Sequence, residues 1–172
     1  MSFAFGHLLG AWLLGKLVEF AGKRKLSPGM WFFLLLGGIL PDADFLLDWT
    51  LGTELHRTFT HSLLFVIAAP LLLYIFLALA RNKDSAILAF SLGAGIIMHL
   101  LLDMPFSVGV PLLWPNLLHF SYSGLAYFNP ATPSFLHAST ENLQLSLRRA
   151  VIDMGLGAAW IMYLALRRKI RF

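Results

Sequence analysis

Long apolar runs with very few charges are the feature that most constrains how this chain can fold. Four runs approach the roughly 20 mostly apolar residues that a membrane-spanning α-helix needs. They cover residues 3–21, 61–80, 85–104 and 150–166. Charged residues make up only 13% of the chain, about half the share of a typical soluble domain. So few charges cannot cover a water-facing surface, and the sequence therefore predicts an all-α, polytopic transmembrane helix bundle.

A fifth apolar run, residues 30–40, is shorter than the others. At about 1.5 Å per residue it reaches roughly half of the hydrocarbon core. It crosses if the helix extends over residues 27–41; otherwise it is a half-helix that ends inside the membrane under a cover of protein. Both alternatives place a break at Pro41-Asp42-Ala43-Asp44, beside a polar pocket. The fold prediction is therefore about five membrane segments.

Residues 105–147 have a different character, because prolines and glycines interrupt an aromatic and apolar stretch. We expect a membrane-hugging loop or lid with short helical pieces, followed by a last helix over residues 148–167. The chain reads as one integral membrane domain over residues 1–172, with its polar motifs in residues 6–116. The N-terminal run lacks the basic start and the cleavage site of a signal peptide, which indicates a retained helix.

Basic residues indicate how the chain is oriented in the membrane. Nine of the thirteen lysines and arginines form three clusters that fall on one side if all five segments cross. They are Lys23, Arg24, Lys25, Arg81, Lys83, Arg167, Arg168, Lys169 and Arg171. The positive-inside rule makes that side cytoplasmic, with the N-terminus outside and the C-terminus inside. Short clusters beside apolar runs also argue against nucleic-acid binding, which favours a basic stripe with interleaved aromatic residues.

The histidines and aspartates gather at the opposite, non-cytoplasmic end of this topology. The candidate metal ligands are His7, Asp42, Asp44, His56, His61, His99 and Asp103. Because the chain has no cysteine, a transition-metal site has to use His, Asp and Glu, which suit zinc and also manganese or iron. Seven candidates exceed the needs of one tetrahedral ion, so we expect two divalent ions, zinc first, with a bridging carboxylate.

Simpler interpretations of single residues remain open. His7 alone could hydrogen-bond a neighbouring helix, and Asp42 could cap a helix. An ionisable group inside the bilayer costs roughly 2.5–3.5 kcal/mol on insertion scales, however, and seven at one end need mutual neutralisation, which metal ions provide. Thr60 and Ser62 are expected to cap helices or to hydrogen-bond the ligands, and Asp153 to pair with Arg149.

Taken together, four short motifs resemble the YdjM-like family of inner-membrane metal-dependent hydrolases. The motifs are Gly6-His7-Leu8-Leu9, Leu40-Pro41-Asp42-Ala43-Asp44, His56-Arg57-Thr58-Phe59-Thr60-His61-Ser62 and Gly95-x-x-x-His99-x-x-x-Asp103; the tract Gly109-Val110-Pro111-Leu112-Leu113-Trp114-Pro115 matches as well. The resemblance covers residues 6–116. It implies an inner-membrane location, a bound metal and hydrolase chemistry.

The order His, Asp, His and then His-x-x-x-Asp is also similar to zinc-dependent phospholipase C and its related nuclease. This sequence lacks the further His and Glu that complete a trinuclear site there, unless His119 or His137 serves. A two-metal site is therefore the expectation for this chain.

The functional hypothesis is hydrolysis of a phosphoester, such as a phospholipid headgroup, by metal-activated water. His7, Asp42, His61, His99 and Asp103 form the core ligand set. Asp44 and His56 are further ligands, or one of them is the general base. Arg57 neutralises charge that develops in the transition state. Membrane lipids are the expected partners, and the oligomeric state is left open.

The alternative hypothesis is a metal-ion transporter, or a metal-binding membrane protein without hydrolase activity. Its ligands would line a path through the bilayer, whereas here they collect at one end. Other intramembrane enzymes are disfavoured, because the chain has neither a His-Glu-x-x-His motif nor a Gly-x-Ser-x-Gly elbow.

Overall fold

Six α-helices dominate the part of the chain that the computed structural model describes, which comprises residues 4–51, 58–105, 109–116, 118–122, 124–127 and 140–167. The helices are α1 (Ala4–Gly22), α2 (Pro28–Ile39), α3 (Asp44–Leu51), α4 (Leu63–Leu79), α5 (Ser85–Asp103) and α6 (Thr140–Leu166). The mostly helical architecture predicted from the apolar runs is confirmed.

Local sequence sets the ends of the helices around the polar residues. Ser27 caps α2 by accepting a hydrogen bond from the backbone N–H of Met30, and a proline follows it in the first turn. The predicted break after α2 is a 3-10 turn over Leu40–Ala43. Ser62 caps α4 in the same way as Ser27 caps α2, directly after a 3-10 turn over Phe59–His61. Two tight turns thus hold the polar motifs at helix ends, and the predicted capping role of Ser62 is confirmed.

The centre of the bundle is the contact between α2 and α5, and two glycines permit it. A Cβ atom added at Gly37 would overlap the carbonyl oxygen of Leu92, and one added at Gly95 would overlap the carbonyl oxygen of Leu34. The two backbones therefore touch directly, which is the close approach that small residues allow between membrane helices. This contact brings the end of α2 against the last turns of α5.

The remaining helices pack around this pair. Helix α4 packs on α5, α1 packs on both α2 and α5, and α6 packs on α1. Large apolar side chains face outward on the long helices, as Phe20, Leu79 and Phe90 do at 78–83% exposure. Exposed apolar surface on this scale is typical of a protein whose outer face contacts a membrane or another protein.

By length and composition, α5 is the one helix in the described residues that is long and apolar enough to cross a membrane. The apolar helical stretches Pro28–Ala43, Leu63–Leu79 and Ala150–Leu166 are shorter. The count of five membrane segments therefore stays a prediction.

The described part of the segment between α5 and α6 contains a short β-hairpin, which the prediction of short helical pieces did not include. Strand β1 (Leu118–Ser121) pairs antiparallel with β2 (Gly124–Tyr127). Apolar and polar residues alternate along Leu118-His119-Phe120-Ser121, which is the period of a strand rather than of a helix. Two backbone hydrogen bonds join β1 to Val110, so the hairpin is tied back to the chain that follows α5.

The last helix also differs from the predicted residues 148–167, since it begins at Thr140. Its first two turns carry polar residues such as Glu141, Asn142 and Gln144. The apolar run that marks this helix in the sequence therefore begins after the helix itself does.

Candidate metal centre

Five of the predicted ligands meet at one end of the bundle. His7 lies in the first turn of α1, Asp42 in the turn after α2, and His61 in the turn before α4. His99 and Asp103 lie one turn apart at the end of α5. The three histidines are fully buried and Asp103 is 1% exposed. Four separate elements thus deliver imidazoles and carboxylates to one buried place.

Four of these residues have the spacing of a metal site. One ligand atom from each of Asp42, His61, His99 and Asp103 lies within 4.8 Å of all the others. The two histidine Nε2 atoms are 3.3 Å apart. Asp42 Oδ1 is 3.4 and 3.5 Å from them, and Asp103 Oδ2 is 3.7 and 4.0 Å from them. Tetrahedral zinc with bonds of 2.0–2.1 Å places neighbouring ligand atoms about 3.3–3.4 Å apart. The distances among His61, His99 and Asp42 match this spacing, and those to Asp103 are longer.

The tautomer of His99 is fixed by a backbone carbonyl. His99 Nδ1 lies 2.8 Å from the carbonyl oxygen of Gly38. A carbonyl oxygen can only accept, so Nδ1–H donates and Nε2 of a neutral ring carries the lone pair. That lone pair faces the cluster. The close contact between α2 and α5 is what brings the Gly38 carbonyl within reach.

The tautomer of His61 is fixed by a two-step hydrogen-bond chain. The Thr60 hydroxyl donates to Asp44 Oδ2 at 2.5 Å, which uses its single hydrogen. The hydroxyl oxygen then accepts from His61 Nδ1, 3.0 Å away. Nε2 of His61 is thereby left as the unprotonated nitrogen that faces His99. Asp44, 4% exposed, lies on the Nδ1 side of this ring, so its position matches that of a carboxylate that orients a ligand.

The donor set fits a divalent cation. Two imidazole lone pairs face each other at 3.3 Å, and carboxylate oxygens crowd the same place, which is unfavourable without positive charge between them. Asp42 Oδ1 is buried and accepts no hydrogen bond within the part of the chain that the structure describes. Leaving a buried charged acceptor unpaired costs roughly 1–3 kcal/mol or more. A cation at this place would satisfy all four donors.

A second set of donors lies on the other side of the same carboxylates. His7 Nε2 is 3.4 Å from Asp103 Oδ1 and 3.8 Å from Asp42 Oδ2. The imidazole of His7 stacks on that of His99, with ring centroids 3.8 Å apart. Each of the two aspartates therefore turns one oxygen toward the His61–His99 pair and the other toward His7. This is the geometry of carboxylates that bridge two positions.

The other predicted site residues lie elsewhere. His56 and Arg57 are outside the described residues, as is His137. His119 is buried on β1, and it is not a member of the four-residue group. Sequence reasoning missed the Gly38 carbonyl, because a backbone acceptor has no side-chain signature. Thr60 stood in a quoted motif, and its role as a hydrogen-bonding partner of a ligand is confirmed.

If the candidate centre binds zinc, replacing Thr60 with valine should weaken that binding by about 10- to 100-fold, the usual cost of losing a group that orients a metal-bound histidine. Valine keeps the shape of threonine but breaks the chain from Asp44 to His61, whereas Thr60→Ser keeps the hydroxyl and should bind as the wild type does. Competition with a chelating dye measures the affinity.

Ser27→Ala is the matched control, because it removes a capping hydroxyl at the other end of α2. If Thr60→Val binds zinc as tightly as Thr60→Ser, the hydroxyl does not orient His61.

A helical bundle with apolar outer faces and a buried His–Asp cluster is, as a class, a membrane protein with a candidate metal centre. The family model described as YdjM inner membrane protein matches residues 1–170, and the chain belongs to this family. The resemblance found in residues 6–116 is thus confirmed over almost the whole chain, together with the inner-membrane assignment. No curated protein and no solved structure matches the chain significantly.

Proposed function

We propose that this protein is a membrane-bound metal-dependent hydrolase whose centre holds two divalent cations, zinc first, and cleaves a phosphoester such as a phospholipid headgroup. The observation that carries the proposal is that Asp42 and Asp103 each face two groups of histidines with their two carboxylate oxygens. Each carboxylate turns one oxygen to the His61–His99 pair and the other to His7. Paired cation positions that share carboxylates are typical of enzymes that cleave phosphoesters.

The donors divide unequally between the two positions. The first would be held by the Nε2 atoms of His61 and His99 with Asp42 Oδ1 and Asp103 Oδ2, four protein donors in all. The second takes His7 Nε2 with the remaining oxygen of each aspartate. Three protein donors leave coordination open there, as in catalytic rather than structural sites. The second position is therefore the one proposed to meet the substrate. Manganese or iron would suit the same donors less specifically.

Each side chain then has a separate task. Zinc bound at the two positions would activate water at neutral pH and polarise a phosphoryl oxygen. Asp44 would hold the ring of His61 through Thr60. From the sequence alone, Asp44 could have been either a ligand or the general base. His56 is the proposed general base or a further ligand. Arg57 would neutralise negative charge on the phosphoryl group.

The proposed topology has five membrane segments, with the N-terminus outside, the C-terminus in the cytoplasm and the centre at the outer end. Its support is the length of α1. His7 lies in the first turn of this helix and Lys23 directly follows its last residue, so the two are about 24 Å apart at 1.5 Å per residue. The basic cluster that marks the cytoplasmic side is therefore far from the metal ligands. A centre at the outer boundary would meet lipid headgroups, and residues 105–147 would lie along the membrane beside it.

Purified protein in lipid nanodiscs should contain two zinc ions per chain by elemental analysis. It should release labelled headgroup from phospholipid, or nitrophenol from bis(p-nitrophenyl) phosphate, because the paired positions favour phosphoester cleavage. Chelation should lower the turnover to background, and added zinc should restore it. Chelator-treated protein that is given magnesium alone is the control, since magnesium prefers six oxygen ligands.

The transporter alternative predicts a different result. Proteoliposomes would then take up zinc, and no phosphoester would turn over. Zinc uptake without hydrolysis, or a protein that holds no stoichiometric metal, would overturn the hydrolase proposal.

A further inference from the structure

Asp153 is a buried carboxylate in the last helix whose hydrogen bonds reach the first helix. It is 6% exposed. Its two oxygens accept hydrogen bonds from the backbone N–H groups of Phe5, at 3.1 Å, and of Gly6, at 2.5 Å. The side chain of Arg149, its predicted partner, lies outside the described part of the structure. The two backbone partners that the structure does describe lie almost 150 residues away along the chain. The carboxylate therefore joins the two ends of the chain.

These bonds satisfy groups that the helix itself cannot satisfy. The first N–H groups of an α-helix have no partner within the helix, and in an apolar phase an unpaired N–H group is costly. A carboxylate at this position also faces the positive end of the helix dipole. Asp153 thus does for α1 what an N-cap residue usually does, but from a different helix.

The neighbouring contacts show that α6 is shaped for this place. Gly157 lies one turn after Asp153 on the same face of α6, and both are buried in a helix that is otherwise largely exposed. A Cβ atom at Gly157 would lie 2.6 Å from the ring of Phe5. The face formed by Asp153 and Gly157 therefore holds Phe5 by its backbone and by its side chain.

His7 follows directly in the chain. Its position depends on the first turn of α1, and its Nε2 is the atom that faces Asp103 and Asp42. We infer that Asp153 is a positioning residue: by holding the first turn of α1 it places His7 against the two carboxylates and so sets the affinity of the second cation position. The metal part of this inference rests on the proposed two-cation function.

The test compares Asp153→Ala and Asp153→Asn with Asp84→Ala, an exposed aspartate at the start of α5 whose side chain makes no capping hydrogen bond. Hydrogen exchange of the segment that includes Phe5 and Gly6 is measured in zinc-free protein in nanodiscs, and zinc binding is titrated separately. Asp153→Ala should raise exchange of this segment about 2- to 30-fold, the range expected for loss of a cap. It should lower the affinity for one of the two zinc ions about 10- to 100-fold and leave the affinity for the other unchanged. Asp153→Asn, which keeps one acceptor oxygen, should be intermediate, and Asp84→Ala should match the wild type.

Two results would overturn the inference. One is hydrogen exchange that is unchanged in Asp153→Ala. The other is an equal loss of affinity for both zinc ions, which would indicate a general loss of structure. A wild-type protein that binds a single zinc ion would instead overturn the two-cation proposal. Exchange alone would then decide whether Asp153 holds α1: a rise specific to Asp153→Ala supports it, and no rise overturns it.

Discussion

Asp103→Asn is expected to weaken binding at both of the proposed zinc positions. Asp103 offers Oδ2 to the His61–His99 pair and Oδ1 to His7, so it is a donor at both positions. Asparagine keeps the size of the side chain, but it replaces one carboxylate oxygen with an amide NH₂ group and removes the charge. Four-ligand zinc sites bind with about 10–16 kcal/mol in total. One ligand therefore accounts for about 2.5–4 kcal/mol, or roughly a 100- to 1000-fold change in affinity.

Elemental analysis and dye competition on the purified variant measure this loss. Asp84→Asn is the matched control, because it makes the same chemical change at an exposed site outside the cluster. Melting temperatures in the presence of a chelator show whether the apo fold is retained. Two zinc ions bound to Asp103→Asn with wild-type affinity would contradict a bridging role for this carboxylate.

Gly95→Ala is expected to cause a large loss of stability. The added methyl group would overlap the carbonyl oxygen of Leu34 and lie 2.9 Å from the Cα atom of Gly37. These atoms belong to backbone and cannot rotate away, so α2 and α5 have to separate. Overpacking of this kind typically costs about 1–3 kcal/mol, and occasionally more. Separation would also draw the Gly38 carbonyl away from His99 and weaken zinc binding.

Thermal unfolding in detergent and zinc titration measure the two effects together. Gly155→Ala is the matched control, because a Cβ atom at that position of α6 meets no atom within 4 Å. Alanine there should be neutral or should stabilise by about 0.5–1 kcal/mol, since glycine is a poor helix former. If Gly95→Ala unfolds and binds zinc as Gly155→Ala does, the direct contact between α2 and α5 is not what holds the centre.

Much of the helical fold follows from the sequence, because an apolar run of the right length has few alternatives in lipid. The observed ends of α1 and α5 differ from the predicted ones by at most one residue. The hairpin β1–β2 was missed because four alternating residues are too few to stand out inside an apolar loop. The early start of α6 was missed because its first turns are polar.

The site divides in the same way. The spacing of His99 and Asp103 on one helix face, and the break at Asp42, predict that the ligands meet. The role of Asp44 could not be predicted, because a carboxylate two residues from a ligand resembles a ligand until Thr60 is seen between it and His61. The bonds of Asp153 to α1 could not be predicted either, because these partners are backbone N–H groups, which every sequence contains.

The uneven burial of the four-residue group leaves the candidate centre one side that is less enclosed than the others. His61 and His99 are fully enclosed, and Asp103 nearly so, whereas the side chain of Asp42 is 21% exposed. An ion in the proposed centre would therefore enter and leave past Asp42, which lies on a 3-10 turn rather than inside a long helix.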